Sequence, residues 1–125
     1  MGRIFKTPDF ASWAKDESVD DSALLNAVQE IEDGLVDAKL GGNVIKKRVA
    51  RTGQGKSGGF RTIIAFKVDD KSFFMFGFSK NEKANISAKE KTALKIMAKE
   101  LLAYDNKQLA KALKHKALFE VIRDE

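Results

Sequence analysis

Residues 46–83 constrain this chain more than any other stretch. Apolar and polar side chains alternate through most of it, as they do on strands whose two faces differ. Glycines at Gly53, Gly55, Gly58 and Gly59 interrupt the alternation, and a shorter turn falls at Asp69-Asp70-Lys71. Strands are therefore expected over residues 44–52, 60–68 and 72–79. Connections this short make them an antiparallel meander. In the second strand Phe60, Thr62, Ile64 and Phe66 share one face, and Arg61, Ile63, Ala65 and Lys67 the other. The third alternates Phe74, Phe76 and Phe78 with Phe73, Met75 and Gly77, so both faces are apolar and the strand reads as central.

The same stretch gathers Lys46, Lys47, Arg48, Arg51, Lys56, Arg61, Lys80 and Lys83. Divided along the chain, residues 1–38 carry a net charge of −6, residues 39–83 +8 and residues 84–125 +3, which makes +5 overall. An isolated charge run is ordinarily a solvated face. An excess confined to one supersecondary unit instead favours a polyanion partner, here taken to be RNA.

Helices flank the meander. Arg3-Ile4-Phe5-Lys6 reads as a short strand, after which Thr7 caps a helix and Pro8 takes its first position. A second helix begins near Asp20, Asp21 or Ser22 and turns Leu24, Val28, Ile31 and Leu35 inward, with Gly41-Gly42 as its exit loop. These two helices hold the acidic residues and back the sheet. Ser87 and Glu90 have capping-box spacing ahead of an amphipathic helix whose apolar residues are Leu94, Met97, Ala98, Leu101 and Leu102. Asn106 is expected to cap a last helix, and the apolar tail 118–122 either docks on the core or forms an edge strand.

Several chemistries are excluded. Without cysteine there is no disulfide framework, thiolate metal site or thiol nucleophile. One histidine, His115, cannot supply a two-histidine ribonuclease site, and it sits on the last helix, far in sequence from the cations. No metal or cofactor is expected. No apolar run is long enough to span a bilayer and none has the form of a signal core, so a cytoplasmic protein with no membrane partner is expected.

Gly53-Gln54-Gly55-Lys56-Ser57-Gly58 matches G-x-G-x-x-G, but a strand follows where a dinucleotide site needs a helix, and the Walker pattern lacks its first glycine at Ala50. The loop is either a flexible hairpin connection or a backbone open to phosphate, with Lys56 adding charge. The third strand's phenylalanines read as core. Phe60, at the loop edge, is the better candidate for stacking on a base.

Cations alone can cleave RNA in principle. The 2′-hydroxyl attacks the neighbouring phosphorus, guanidinium forks match the equatorial oxygens, and a lysine depressed by neighbouring cations can take the proton. Arg48, Arg61 and Lys80 are the candidate catalytic residues.

Lys47-Arg48-Val49-Ala50, the loop from Gly53 through Lys56 and Gly58-Gly59 to Arg61, and Gly77-Phe78-x-Lys80-Asn81 with Asn85-Ile86-Ser87 resemble the RelE/HigB-like toxins of type II toxin–antitoxin systems. The resemblance covers about residues 3–103, with 104–125 as a C-terminal extension of one domain spanning 1–125. It implies an α+β, microbial-RNase-like fold with an antiparallel sheet, N-terminal helices on one face, and C-terminal helices. It implies a ribosome-dependent mRNA endoribonuclease that stops translation, so that ribosome, mRNA and a cognate, DNA-binding antitoxin are its partners. Carried over by position, Arg48, Arg61 and Lys80 match the catalytic cations, while Lys46, Lys47, Arg51, Lys56, Phe60, Asn81 and Lys83 would contact RNA. Two other readings stay open: a ParE-like poison of DNA gyrase, and a non-catalytic RNA-binding protein with steep salt dependence.

Overall fold

The computed structural model describes residues 2–50 and 59–122. Its elements run β1 (Arg3–Lys6), α1 (Pro8–Asp16), α2 (Asp21–Glu32), β2 (Ala38–Gly41), β3 (Val44–Val49), β4 (Phe60–Phe66), β5 (Lys71–Ser79), α3 (Ala88–Leu102), α4 (Asn106–Lys114) and β6 (Phe119–Val121). The fold is α+β, a six-stranded sheet in the order β2-β3-β4-β5-β1-β6. Every neighbouring pair is antiparallel except β1 and β5. That parallel pairing departs from a purely antiparallel sheet, because the chain crosses from β1 over the helices and meander before returning beside it.

Each helix starts where its sequence supplies an acceptor. The Thr7 hydroxyl accepts from the Phe10 N–H at 3.2 Å with Pro8 behind it, and Asp20 accepts from the Ala23 N–H at 3.0 Å. Ser87 and Glu90 form the full capping box of α3. On α4 the cap is Asp105, one residue before the expected Asn106, because Gln108 completes a second box with it.

The sheet is covered on both faces. Against α1 and α2 lie Phe10, Leu24, Val28, Ile31, Ile45, Val49, Phe60, Ile64 and Phe74; against α3 and α4 lie Phe5, Ile63, Ala65, Phe73, Met75, Phe78, Leu94, Ala98 and Leu109.

Three expectations need correction. Gly41-Gly42 is the turn of a β2–β3 hairpin, with positive φ at Gly41, Gly42 and Asn43, and the four-residue β2 was too short to show an alternation. Leu35 falls beyond the end of α2 and stands 56% exposed. In the β4–β5 pairing the register shifts between Ile63 and Ile64, a bulge in β5 that leaves Met75 without a partner on β4. The bulge turns Phe76 and Phe78 to the face of Phe73, away from Phe74, which strict alternation had grouped with them. The tail becomes β6, an edge strand on β1.

Candidate functional site

The β3–β4 register sets Arg48 directly opposite Arg61, and the β4–β5 register sets Arg61 opposite Phe78. Opposed residues of an antiparallel pair share a face, so the two arginines form one row on the α3 side. Like charges so placed repel, and each arginine meets this differently. The Asp37 carboxylate accepts from Arg48 Nε at 2.9 Å and from the Arg48 backbone N–H. Arg61 is half-buried, and its Nη1 is buried with no hydrogen-bond partner among the described residues.

The connection from β5 to α3 completes the rim. Lys80 and Asn81 are exposed on the turn after Ser79, two and three residues beyond Phe78. Lys83 Nζ lies 5.4 Å from the centroid of the Phe76 ring, which tilts against Phe78 at 5.9 Å. The same ammonium donates to both Glu90 oxygens at 2.7 and 2.6 Å. This contact, with the Ser87 N–H as a second donor, holds the Glu90 carboxyl below the usual glutamate range. Lys46 Nζ reaches Asn85 Oδ1 at 3.5 Å, and Asn85 in turn accepts from the Ile86 N–H just before the α3 cap.

Two residues expected in this group lie elsewhere. Lys47 projects to the opposite face, where it is buried and its Nζ meets Glu30 of α2 at 2.9 Å. Phe60 is buried beneath Trp13, whose ring meets it edge-on at 5.1 Å, so no face is open to a base. Gly77 makes room for that tryptophan, since a Cβ there would collide with its ring. Arg51 and Lys56 lie outside the described residues. His115 closes α4 as an exposed C-cap residue.

Sequence reasoning passed over Asp37, Phe76 and Glu90 as parts of this rim. Glu90 had a visible signal, its capping spacing, but not its second duty toward Lys83. Asp37 had none, because its contact depends on β2, which the sequence did not reveal.

The rim offers two guanidinium forks on one row, further lysines on the flanks and an aromatic floor. Such a surface can hold a phosphodiester and neutralise charge that grows on it. Among the described residues no cluster of histidine, aspartate and glutamate could hold a metal ion, and no helix is long and apolar enough to cross a membrane.

No curated protein matches the chain. A family model described as the RelE toxin of the RelE / RelB toxin-antitoxin system matches residues 2–121, through the C-terminal strand that the resemblance had left outside its core. A basic sheet between two helical layers, matched from its first strand to its last, places the protein in the RelE toxin family: it is the toxin of a toxin–antitoxin system, with a cognate antitoxin as partner.

Proposed function

We propose that the protein is a ribosome-dependent mRNA endoribonuclease that inhibits translation. The observation that carries this reading is the Arg48–Arg61 rung, which sets two guanidinium side chains opposite one another on one face of the sheet. In the reaction the 2′-oxygen bonds to phosphorus as the bond to the 5′-oxygen breaks. The 2′-hydroxyl proton passes to a base, and the departing 5′-oxygen takes up a proton. Charge accumulates on the non-bridging oxygens, where two forks fixed before the reaction act most strongly. Arg61 is the principal clamp, Arg48 the second, and Lys80 the candidate for proton transfer.

Lys46, Asn81 and Lys83 would hold the flanking RNA, with Arg51 and Lys56 assigned to it on sequence alone. Lys47 and Phe60 are left out, being buried on the other face. Cations without imidazole make a modest catalyst, so the substrate must arrive already oriented. A translating ribosome presents a single-stranded codon held in place, and this supports ribosome dependence. The antitoxin is proposed to carry a DNA-binding domain and to work in the cytoplasm with its toxin.

Induction should arrest growth, and primer extension on total RNA should reveal new 5′ ends inside translated messages. Prior addition of a translation inhibitor should abolish them. Arg61→Ala should relieve the arrest at equal expression. Undiminished toxicity of that variant would overturn the reading. Intact messages accompanied by DNA breaks would instead select a gyrase poison.

A further inference from the structure

The pole of the sheet opposite the arginines has a different character. About 16 Å along β4 from Arg61, at the rise of an extended chain, the strand ends at Phe66 beside the β2–β3 hairpin. A cleft opens on each side of that hairpin. The one on the α2 side, about 660 Å³, is floored by Val36, Ile45 and Phe66 and edged by Val68, which is 65% exposed. The one on the α3 side, about 560 Å³, holds Leu102 and Ile96, the latter 59% exposed.

Lysines rim both clefts: Lys39 and Lys67 on one side, Lys95 and Lys99 on the other. Among the described residues lining either cleft there is no carboxylate. Lys67 approaches Asp70 no closer than 4.0 Å, too long for a hydrogen bond. Gly41 and Gly42 add no side chain of their own to the ridge between the clefts, and the Lys95 side chain lies within 4 Å of where a Cβ would stand on either, which brings its ammonium to the ridge.

We propose that this hairpin pole is where an acidic, amphipathic segment of the cognate antitoxin docks. Its apolar side chains would enter the clefts, and its carboxylates would meet the four lysines. The charge pattern selects this occupant. RNA has the right sign, but its bases stack on aromatic or guanidinium planes, and the clefts are lined by aliphatic side chains with Phe66 as their one aromatic, which suit the aliphatic side chains of a peptide better. A second copy of this chain docking by the same pole would bring lysine against lysine. The proposal rests on the family assignment and not on the nuclease reading, and it leaves the cationic rim uncovered by this contact.

Titration calorimetry of the purified full-length protein with its cognate antitoxin tests it. Val68→Asp and Ile96→Asp, at exposed positions outside the cationic rim, should each weaken binding tenfold or more. The double variant should still arrest growth but no longer be rescued by antitoxin co-expression. Lys99→Glu should weaken binding and flatten its salt dependence. Circular dichroism of each variant establishes that it has folded. An affinity for the double variant within twofold of wild type, or loss of RNA binding with antitoxin binding intact, would overturn the proposal. Should the wild type fail to arrest growth, the nuclease reading falls while the calorimetry still decides this one.

Discussion

Two lysine–glutamate pairs on opposite faces of the sheet show how differently the same chemistry is used. Lys47 and Glu30 meet at 2.9 Å between β3 and α2, with only 5% of the lysine side chain exposed. Lys83 and Glu90 meet at 2.6 Å beside α3, with a third of each side chain in solvent. On the α2 side an acidic helix covers the sheet and absorbs a cation into the fold. On the α3 side Arg48 keeps about half of its side chain in solvent and Arg61 is half-buried. A count of basic residues therefore overstates the site; what matters is which face each one takes and what packs above it.

The largest expected effects cross this divide in opposite senses. Arg61→Ala should lower cleavage of ribosome-bound message by about 10²–10³-fold, the usual cost of losing one donor to a transition-state oxyanion. Its unfolding free energy in urea should stay within about 1 kcal/mol of wild type, since relief from Arg48 offsets lost packing. Lys47→Ala should do the reverse, destabilising the fold by about 2–3 kcal/mol because it removes a buried ion pair and leaves the space of the lysine stem unfilled. Cleavage below its unfolding midpoint should stay near normal. A Lys47→Ala protein that is stable but inactive would return that lysine to the site.

A smaller effect should come from Asp37, which acts on the row through Arg48. Asp37→Ala frees the Arg48 side chain from a hydrogen bond to a charged group, and single-turnover cleavage should fall about tenfold. In an Arg48→Ala background the same substitution should change the rate little. A full further loss there would mean that Asp37 acts on RNA by another route.

The meander, the central β5 and the capped helices could be read from the chain because each rests on local chemistry: alternation, turn residues and side-chain acceptors at fixed spacing. Arg48 and Arg61 were also legible, since an antiparallel pair joined by one loop leaves few registers. Lys47 and Phe60 were not. Period-two alternation places each on a face, yet it does not say that α2 and Trp13 will cover that face. The bulge at Met75 was hidden for a related reason, because a strand that is apolar on both faces looks much the same in either register. β2 escaped because four residues ending in glycine carry almost no pattern, and Asp37 was lost with it.

The smallest effect expected is at Glu90, and it sharpens the contrast between the two pairs. Lys83 and the Ser87 N–H hold this carboxyl below the usual glutamate range. The pair's contribution to stability is therefore complete above the ordinary glutamate pKa and is lost as pH falls through the lowered one. Carboxyl-carbon NMR titration should show that depressed pKa and its return toward the ordinary range in Lys83→Ala. Because the pair is solvated, acid unfolding of the two proteins should differ only slightly. Cleavage should respond more than stability, since protonated Glu90 no longer holds Lys83 over the Phe76 ring. If stability and cleavage instead fell together through one pH midpoint, the Lys83–Glu90 contact would be part of the scaffold like Lys47–Glu30, and the division between the two faces would fail at this point.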